Sequence, residues 1–322
     1  MTMNKNVDAF AAAVRNDTGL AGGFNCVGFS QGNSVCRGYV QRYNDPPVKN
    51  VLSVHGTVVG VAAFPHCDPT GLMGPVCRLV ASLAGDAAYT SLTQGLLFQI
   101  DYYRDPLRVT SDAYKAHSEL AAWNNEGNVV NETYKRNFVS VDKWVMVKAE
   151  KDTMIHPNEG EHWGAFADGS LKKVLPMRET PWYVEDLFGL KTVDERGGIF
   201  FNATAGDHMQ FTKEELVAWL EHANGTLVAF DAAARVVVVV VVEARAAAAR
   251  RGVDDLEERR AGQRARATDE VEEVVAVRAV EREREARVER VHREFLRVAR
   301  GDGRRGAGPE RPVVADGERG LD

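Results

Sequence analysis

The chain has 322 residues, of which 44% are hydrophobic, enough to bury the core of one large domain or two ordinary ones. Its formal net charge of −6 offers no basic surface for phosphate groups, which argues against nucleic acid as a partner. No run of about eighteen uninterrupted apolar residues is present, so a transmembrane span is not expected.

The first predicted elements are a helix, a strand and a second helix. Residues 6–15 carry apolar side chains at helical spacing, and the flexible sequence TGLAGG that follows ends this helix. Residues 24–29 form a short apolar strand, and residues 31–43 again have one apolar helical face. The start of the chain lacks the basic and apolar regions of a secretory signal, which taken literally predicts a cytosolic protein.

A G-x-S-x-G motif lies between the strand and the second helix, with Gly28, Ser30 and Gly32 at its fixed positions. Strand, sharp turn and helix are the context in which this motif exposes a nucleophilic serine. The two glycines are expected because the turn is strained and because strand and helix approach each other closely. We therefore predict that Ser30 is a catalytic nucleophile.

Further β-rich runs follow at residues 48–61, 143–148 and 198–203, separated by helical patterns. Near-continuous apolar strands that alternate with helices predict an α/β fold with a mainly parallel sheet covered on both faces. Residues from about 62 to 137 are long for a connection and contain helical patterns at 76–83, 87–98 and 113–123. This segment is predicted to be a helical cap over the carboxyl end of the sheet.

A serine nucleophile needs a base and an acid that orients the base, and in α/β-hydrolases these follow in the order acid, then histidine. Asp152 closes the strand at 143–148, and His208 closes the strand at 198–203. Asp207 and His156 are alternatives, but side chains adjacent in sequence seldom orient each other. We predict Asp152 as the acid and His208 as the base, with no metal or cofactor.

The composition changes near residue 230. Residues 1–229 have the mixture of a folded domain, whereas residues 230–322 contain seven consecutive valines at 236–242 and continue as a low-complexity Arg, Glu, Ala and Val sequence. This tail is predicted to be disordered or a charged helix supported by pairs of Glu and Arg, with a coiled-coil partner helix as a further possibility. The four cysteines are too few for a disulfide scaffold and form no C-x-x-C pairs, so structural zinc is not expected.

From about residue 7 to about residue 220 the chain resembles the palmitoyl-protein thioesterases, α/β-hydrolases of the lysosome that remove fatty acyl groups from S-acylated cysteines. The stretches that carry this resemblance are GFSQG at 28–32, residues 37–52, YYRDP at 102–106, NETYKRN at 131–137, WVMVK at 144–148 and TAGDHMQ at 204–210.

The resemblance implies roles for several residues. Ser30, Asp152 and His208 fall on the family's triad, and Gln31 falls on the amide that stabilises the oxyanion. By the same resemblance Cys67 and Cys77 form a disulfide in the cap, and Asn131 matches a glycosylated position. The implied substrates are S-acylated proteins or fatty-acyl thioesters, and the implied location is the lysosome or the secretory pathway.

Three features depart from the family pattern. Only 29 residues precede Ser30, so we expect a truncated domain that lacks the loop with the second oxyanion donor and the strand that would pair with residues 24–29. Without that partner, the strand at residues 24–29 would present an open apolar edge. Cys26 and Cys36 have no obvious family partners and are expected to be free. A carboxylesterase or lipase with the same triad, and an inactive remnant, are therefore alternatives.

Overall fold

A mainly parallel β-sheet forms the centre of the computed structural model, which describes residues 2–63, 85–96, 98–221, 235–243 and 273–280. Its strands lie in the order β6-β3-β2-β1-β7-β8, and the first five of these are parallel. They are β1 (Phe24–Phe29), β2 (Val48–Val54), β3 (Lys143–Ala149), β6 (Ile199–Thr204), β7 (Arg235–Glu243) and β8 (Glu273–Val280). A separate antiparallel pair consists of β4 (Ala165–Phe166) and β5 (Val174–Leu175). The α/β class predicted from the sequence is confirmed.

The helices flank this sheet and build the segment above it. They are α1 (Met3–Asn16), α2 (Gly32–Arg42), α3 (Ser91–Gln94), α4 (Phe98–Asp101), α5 (Asp112–His117), α6 (Glu119–Asn124), α7 (Glu132–Val139), α8 (Pro181–Val184), α9 (Leu190–Glu195) and α10 (Lys213–Glu221). The first helix begins three residues earlier than its apolar pattern predicts, because Thr2 caps it by accepting a hydrogen bond from the Lys5 amide.

The core lies on both faces of the sheet because successive strand residues point to opposite sides. In β1, Phe24 and Cys26 belong to the cluster that α1 and α2 cover, whereas Val27 and Phe29 belong to the cluster under α10. All six residues of β1 are buried, as expected for a strand covered on both faces. The edge strand β6 is instead buried only at its two end residues, Ile199 and Thr204, and its other residues are partly exposed or exposed. The continuous apolar character of β1 therefore reflects its interior position.

The described part of the predicted cap consists of short helices. The pattern at 113–123 is divided into α5 and α6 at Ser118, whose side chain accepts a hydrogen bond from the Ala121 amide and so begins α6. The pattern at 87–98 contains a 3-10 turn at Gly85–Tyr89 and the single turn of α3. The predicted helix at 76–83 lies outside the described residues, as do Cys67 and Cys77.

The prediction of a helical or disordered tail is wrong for two segments. The valine-rich β7 pairs in parallel with β1 from Phe24 to Phe29, and β8 pairs with β7 in an antiparallel ladder. Valine is branched at Cβ and favours strands, and the ladder provides partners for the backbone groups of β1 that would otherwise form an edge. The open edge expected at residues 24–29 is therefore covered by β7. The division into domains at residue 230 stays a prediction.

The prediction that Cys26 and Cys36 are free is also wrong, because the two form a disulfide with a Cα–Cα distance of 6.2 Å. Cys26 lies in β1 and Cys36 in α2, on either side of the turn that carries Ser30. The helix folds back against the strand after this turn, which brings the two side chains together. The disulfide thus joins the two elements that position the predicted nucleophile.

Candidate active site

The turn between β1 and α2 holds Ser30 in the left-handed backbone region, with φ of 49°. A Cβ at Gly28 would lie 2.4 Å from Asn33 Oδ1, so only glycine fits there. Asn33 in turn donates hydrogen bonds of 3.0 Å to the carbonyls of Ser30 and Val54. Gly32 is the buried first residue of α2, and its need for glycine stays a prediction. The strained serine is therefore held by its own strand, the next strand and the helix.

His208 and Asp152 lie beside Ser30 although they are far apart in sequence. His208 Nε2 is 2.9 Å from Ser30 Oγ, and His208 Nδ1 is 2.6 Å from Asp152 Oδ2. Asp152 follows β3 and His208 follows β6. The carboxyl ends of these two strands meet at the same edge of the sheet as the end of β1. The structure thus brings together the three side chains selected from the sequence, in the order acid, base and nucleophile.

Asp152 is held in its charged form. Its side chain is fully buried, and burial alone would raise its pKa. The hydrogen bond and charge of His208 oppose this effect, as does the Ile155 amide, and together they hold the pKa of Asp152 below its ordinary value. The amides of Met154 and Ile155 each donate to Asp152 Oδ1 at 2.7 Å. A carboxylate fixed in this way can orient the imidazole and stabilise its protonated form.

The alternative acid and base lie in other environments. Asp207 accepts hydrogen bonds from the amide and hydroxyl of Thr153 and from the amide of His208, so it joins the loops that carry the acid and the base. His156 packs against Phe166, with 5.2 Å between ring centroids. Asp207 therefore contacts the backbone of His208, whereas Asp152 contacts its imidazole.

His55 is a buried residue of this site that the sequence analysis did not select. Its Nδ1 accepts a hydrogen bond of 2.8 Å from the Met209 amide, so Nε2 carries the proton and faces Thr204 Oγ1 at 3.1 Å. Burial, followed by the charge of His208, lowers the pKa of His55 to about 4. The imidazole is neutral at neutral pH and fixes the loop after His208. Its position directly after β2 is the same signal that identified Asp152 and His208.

Gln31 lies at the N-terminus of α2, next to Ser30. This position puts its backbone at the positive end of the helix dipole, where a developing oxyanion is stabilised. Its side-chain oxygen accepts a hydrogen bond of 3.2 Å from Gln99, which belongs to α4. The predicted cap therefore contacts the turn of the nucleophile directly.

Asn131 begins α7 in the predicted cap. Its side-chain oxygen accepts hydrogen bonds from the amides of Thr133 and Tyr134, which is the geometry of a helix N-cap. A structural role in starting α7 therefore accounts for an asparagine here, and the predicted glycosylation stays a prediction.

Glu161 is a second buried residue that sequence reasoning missed. It lies in the 3-10 segment Asn158–His162, its exposed fraction is 0%, and its Oε2 accepts a hydrogen bond of 2.9 Å from the Ala149 amide. Its carboxyl group also contacts that of Asp152. In the sequence NEGEH nothing marks this glutamate as buried, because a charged run of this kind is normally a solvated surface.

In the part of the chain that the structure describes, no group of three or more His, Cys, Asp and Glu side chains is arranged to hold a metal ion. No helix in these ranges is both long enough and apolar enough to cross a membrane.

The chain is similar in sequence to known thioesterases. The family model for palmitoyl protein thioesterase matches residues 1–208, a range that ends at the predicted base. Palmitoyl-protein thioesterase 1 of Caenorhabditis elegans is 39% identical over 204 residues, which cover 63% of this chain and 67% of the relative. Palmitoyl-protein thioesterase 3 of Dictyostelium discoideum is 35% identical over 215 residues, covering 66% and 71%. Lysosomal thioesterase PPT2 of Rattus norvegicus is 30% identical over 193 residues, covering 57% and 59%.

Proposed function

Because the chain belongs to the palmitoyl protein thioesterase family, we propose that it hydrolyses fatty-acyl thioesters, with palmitoyl groups on S-acylated proteins as the substrate class. The observation that carries this proposal is the continuous hydrogen-bonded chain from Ser30 through His208 to Asp152. Such a chain activates a hydroxyl that is a poor nucleophile on its own at neutral pH.

The first half of the reaction forms an acyl-enzyme. Ser30 Oγ attacks the thioester carbonyl while His208 Nε2 takes the hydroxyl proton, and Asp152 stabilises the imidazolium. The Gln31 amide donates to the oxyanion of the tetrahedral intermediate. The carbon–sulfur bond then breaks, and the proton on His208 goes to the sulfur. A thiol with a pKa of about 8.5 is a good leaving group, so this step needs little assistance.

The second half releases the fatty acid. A water molecule gives a proton to His208 Nε2 and attacks the acyl carbon, which forms a second tetrahedral intermediate. When this collapses, the bond to Ser30 Oγ breaks and the proton returns from His208 to the serine oxygen. The products are a free carboxylic acid and the regenerated hydroxyl, so the cycle needs no cofactor.

The acyl chain requires a dry surface, and the predicted cap is our candidate for it. Each buried methylene contributes about 0.8 kcal/mol, so a long acyl chain gains much of its affinity from apolar contact. The hydrogen bond between Gln99 of α4 and Gln31 brings the cap next to the acyl-transfer site. This proximity supports a role of the cap helices in holding the chain.

An oxidising compartment fits the disulfide. Thiols in the cytosol are kept reduced, whereas disulfides persist in the secretory pathway and outside the cell. The buried disulfide between Cys26 and Cys36 and the similarity to lysosomal thioesterases both support the lysosome or the secretory pathway. We therefore propose this location in place of the cytosolic one.

The test is hydrolysis of a palmitoyl thioester by the wild-type chain, Ser30→Ala and Ser91→Ala. Ser91 is an exposed serine at the start of α3 and serves as the matched control. We expect Ser30→Ala to lower turnover by roughly 10³-fold or more and Ser91→Ala to leave it unchanged. Equal hydrolysis by wild type and Ser30→Ala would contradict the assignment.

Two further arms separate the alternative functions. Comparison of a palmitoyl thioester with the matched oxygen ester distinguishes a thioesterase from a general carboxylesterase or lipase. A fluorophosphonate probe tests the nucleophile without a substrate, because it reacts covalently with an activated serine. A folded wild-type chain that the probe fails to label would favour an inactive remnant.

A further inference from the structure

A second carboxyl group lies behind the acid of the proposed triad. Glu161 is fully buried against the end of β3, where its Oε2 accepts the Ala149 amide at 2.9 Å. Among the residues that the structure describes, no donor group reaches its Oε1. The Glu161 carboxyl contacts Asp152, and two carboxyl groups can share a hydrogen bond only if one of them carries a proton. This pair must therefore hold a proton or place two like charges together.

The hydrogen bonds decide which of the two is protonated. Asp152 accepts from His208 Nδ1 at 2.6 Å and from the amides of Met154 and Ile155 at 2.7 Å. Three donors of this kind favour the charged form of a carboxyl group. Within the described ranges, the Ala149 amide is the one donor to the Glu161 carboxyl group. The charge therefore belongs on Asp152 and the proton on Glu161.

The electrostatic surroundings lead to the same assignment. Burial raises the pKa of Glu161 first, and the charge of Asp152 raises it further. The Ala149 amide and the charge of Lys148 act in the opposite direction and are weaker, so the pKa of Glu161 reaches about 10. In the part of the chain that the structure describes, His55, Asp207 and Glu161 are the titratable groups that act on the acid or the base, and Lys148 acts on Glu161.

We propose that Glu161 is a positioning residue that keeps its proton at neutral pH and donates it in a hydrogen bond to Asp152. The hydrogen bond holds the Asp152 carboxylate in the orientation that faces His208. The retained proton also keeps the net charge behind the imidazole at one negative charge instead of two. The inference rests on the proposed function only in that Asp152 and His208 act on Ser30.

Three variants separate this role from a merely structural one. Glu161→Gln keeps a donor for Asp152 and an acceptor for the Ala149 amide, whereas Glu161→Ala removes both. Glu150→Gln is the matched control, because Glu150 is a half-exposed carboxylate at the end of the same strand, paired with Lys148. The same chemical change is thus made once in the buried pair and once at the surface.

The first measurement is the pH profile of the rate at which a fluorophosphonate labels Ser30. We expect Glu161→Gln and Glu150→Gln to remain within about threefold of wild type, with an unchanged acid limb, and Glu161→Ala to lose about tenfold or more. If Glu161 were charged, Glu161→Gln would remove a negative charge and move the acid limb to lower pH. That shift, or full labelling of Glu161→Ala, would overturn the proposal.

The second measurement does not depend on activity. In protein labelled with ¹³C at the glutamate carboxyl carbons, we expect one resonance that stays protonated at neutral pH and disappears in Glu161→Gln. Absence of such a resonance would overturn the proposal. A chain that is labelled at Ser30 but fails to hydrolyse thioesters would contradict only the proposed substrate. A wild-type chain that is not labelled would overturn the triad and the positioning role together.

Discussion

Replacing Glu161 by glutamine removes a titrating group from the folded protein, and the effect on stability depends on pH. The folded chain holds the Glu161 proton up to a pKa of about 10, whereas the unfolded chain releases it near the ordinary value of 4.5. The neutral form therefore contributes its full stability below about pH 4.5 and loses it progressively as the pH rises toward the folded pKa. A glutamine has no proton to retain and does not suffer this loss.

The magnitude follows from the difference between the two pKa values. Each pH unit between them changes the free energy of unfolding by about 1.4 kcal/mol. Between about pH 5 and pH 7 the wild-type chain should lose roughly 2–3 kcal/mol relative to Glu161→Gln. This loss of stability requires only that the pKa of Glu161 in the folded chain lies clearly above 7. It does not depend on whether that pKa is as high as about 10.

Urea unfolding followed by tryptophan fluorescence at several pH values between about 5 and 7 measures this difference. Glu150→Gln, with an exposed and only weakly paired carboxylate, should show a difference from wild type that changes by less than about 0.5 kcal/mol over the same range. A Glu161→Gln difference that stays constant with pH would refute the buried, protonated Glu161. A difference that favours wild type more strongly at pH 7 would show that the carboxylate is charged.

Two further predictions concern the residues around the base. Asp152→Asn should lower kcat for thioester hydrolysis by roughly 10³-fold or more in steady-state assays. Asp207→Asn changes only hydrogen bonds between two loops, so it should lower kcat by less than about tenfold. Equal losses would remove the distinction between the two acids. His55→Phe removes the acceptor for the partly buried Met209 amide and should lower the free energy of unfolding by about 1–3 kcal/mol in urea titrations. His55→Asn offers an oxygen in place of Nδ1 and should cost less, and the opposite order would contradict the observed hydrogen bond.

The parts of the site that could be predicted from sequence are those that follow directly from strand order. Ser30 was identified by a motif between a strand and a helix. Asp152 and His208 were identified because each closes a strand, and the carboxyl ends of parallel strands meet at one edge of a sheet. His55 also follows a strand, β2, but it precedes Asp152 in the chain and so falls outside the expected order of serine, acid and histidine. Position in the topology was therefore more informative than residue type.

The features that were missed depend on contacts that no local pattern encodes. Cys26 and Cys36 are ten residues apart, and their pairing becomes visible only once α2 is seen folded back on β1. The valine run was assigned to a low-complexity tail because its partner strand β1 lies more than two hundred residues earlier. Glu161 sits in a 3-10 segment without periodicity, and its burial follows from packing against the end of β3. In each case the feature depends on packing between separate elements of the fold.

The site combines a rigid nucleophile with an acid and a base on loops. β1 is paired with β2 on one side and β7 on the other, and the disulfide joins it to α2, so the turn at Ser30 has little freedom. Asp152 and His208 lie beyond the ends of their strands, outside the ladder that pairs β3 with β6. Buried polar groups replace that pairing, since Glu161 supports the acid and His55 the loop of the base. An unpaired polar group in such surroundings is costly, so each of these contacts restricts the loops to the geometry in which the proton can pass from Ser30.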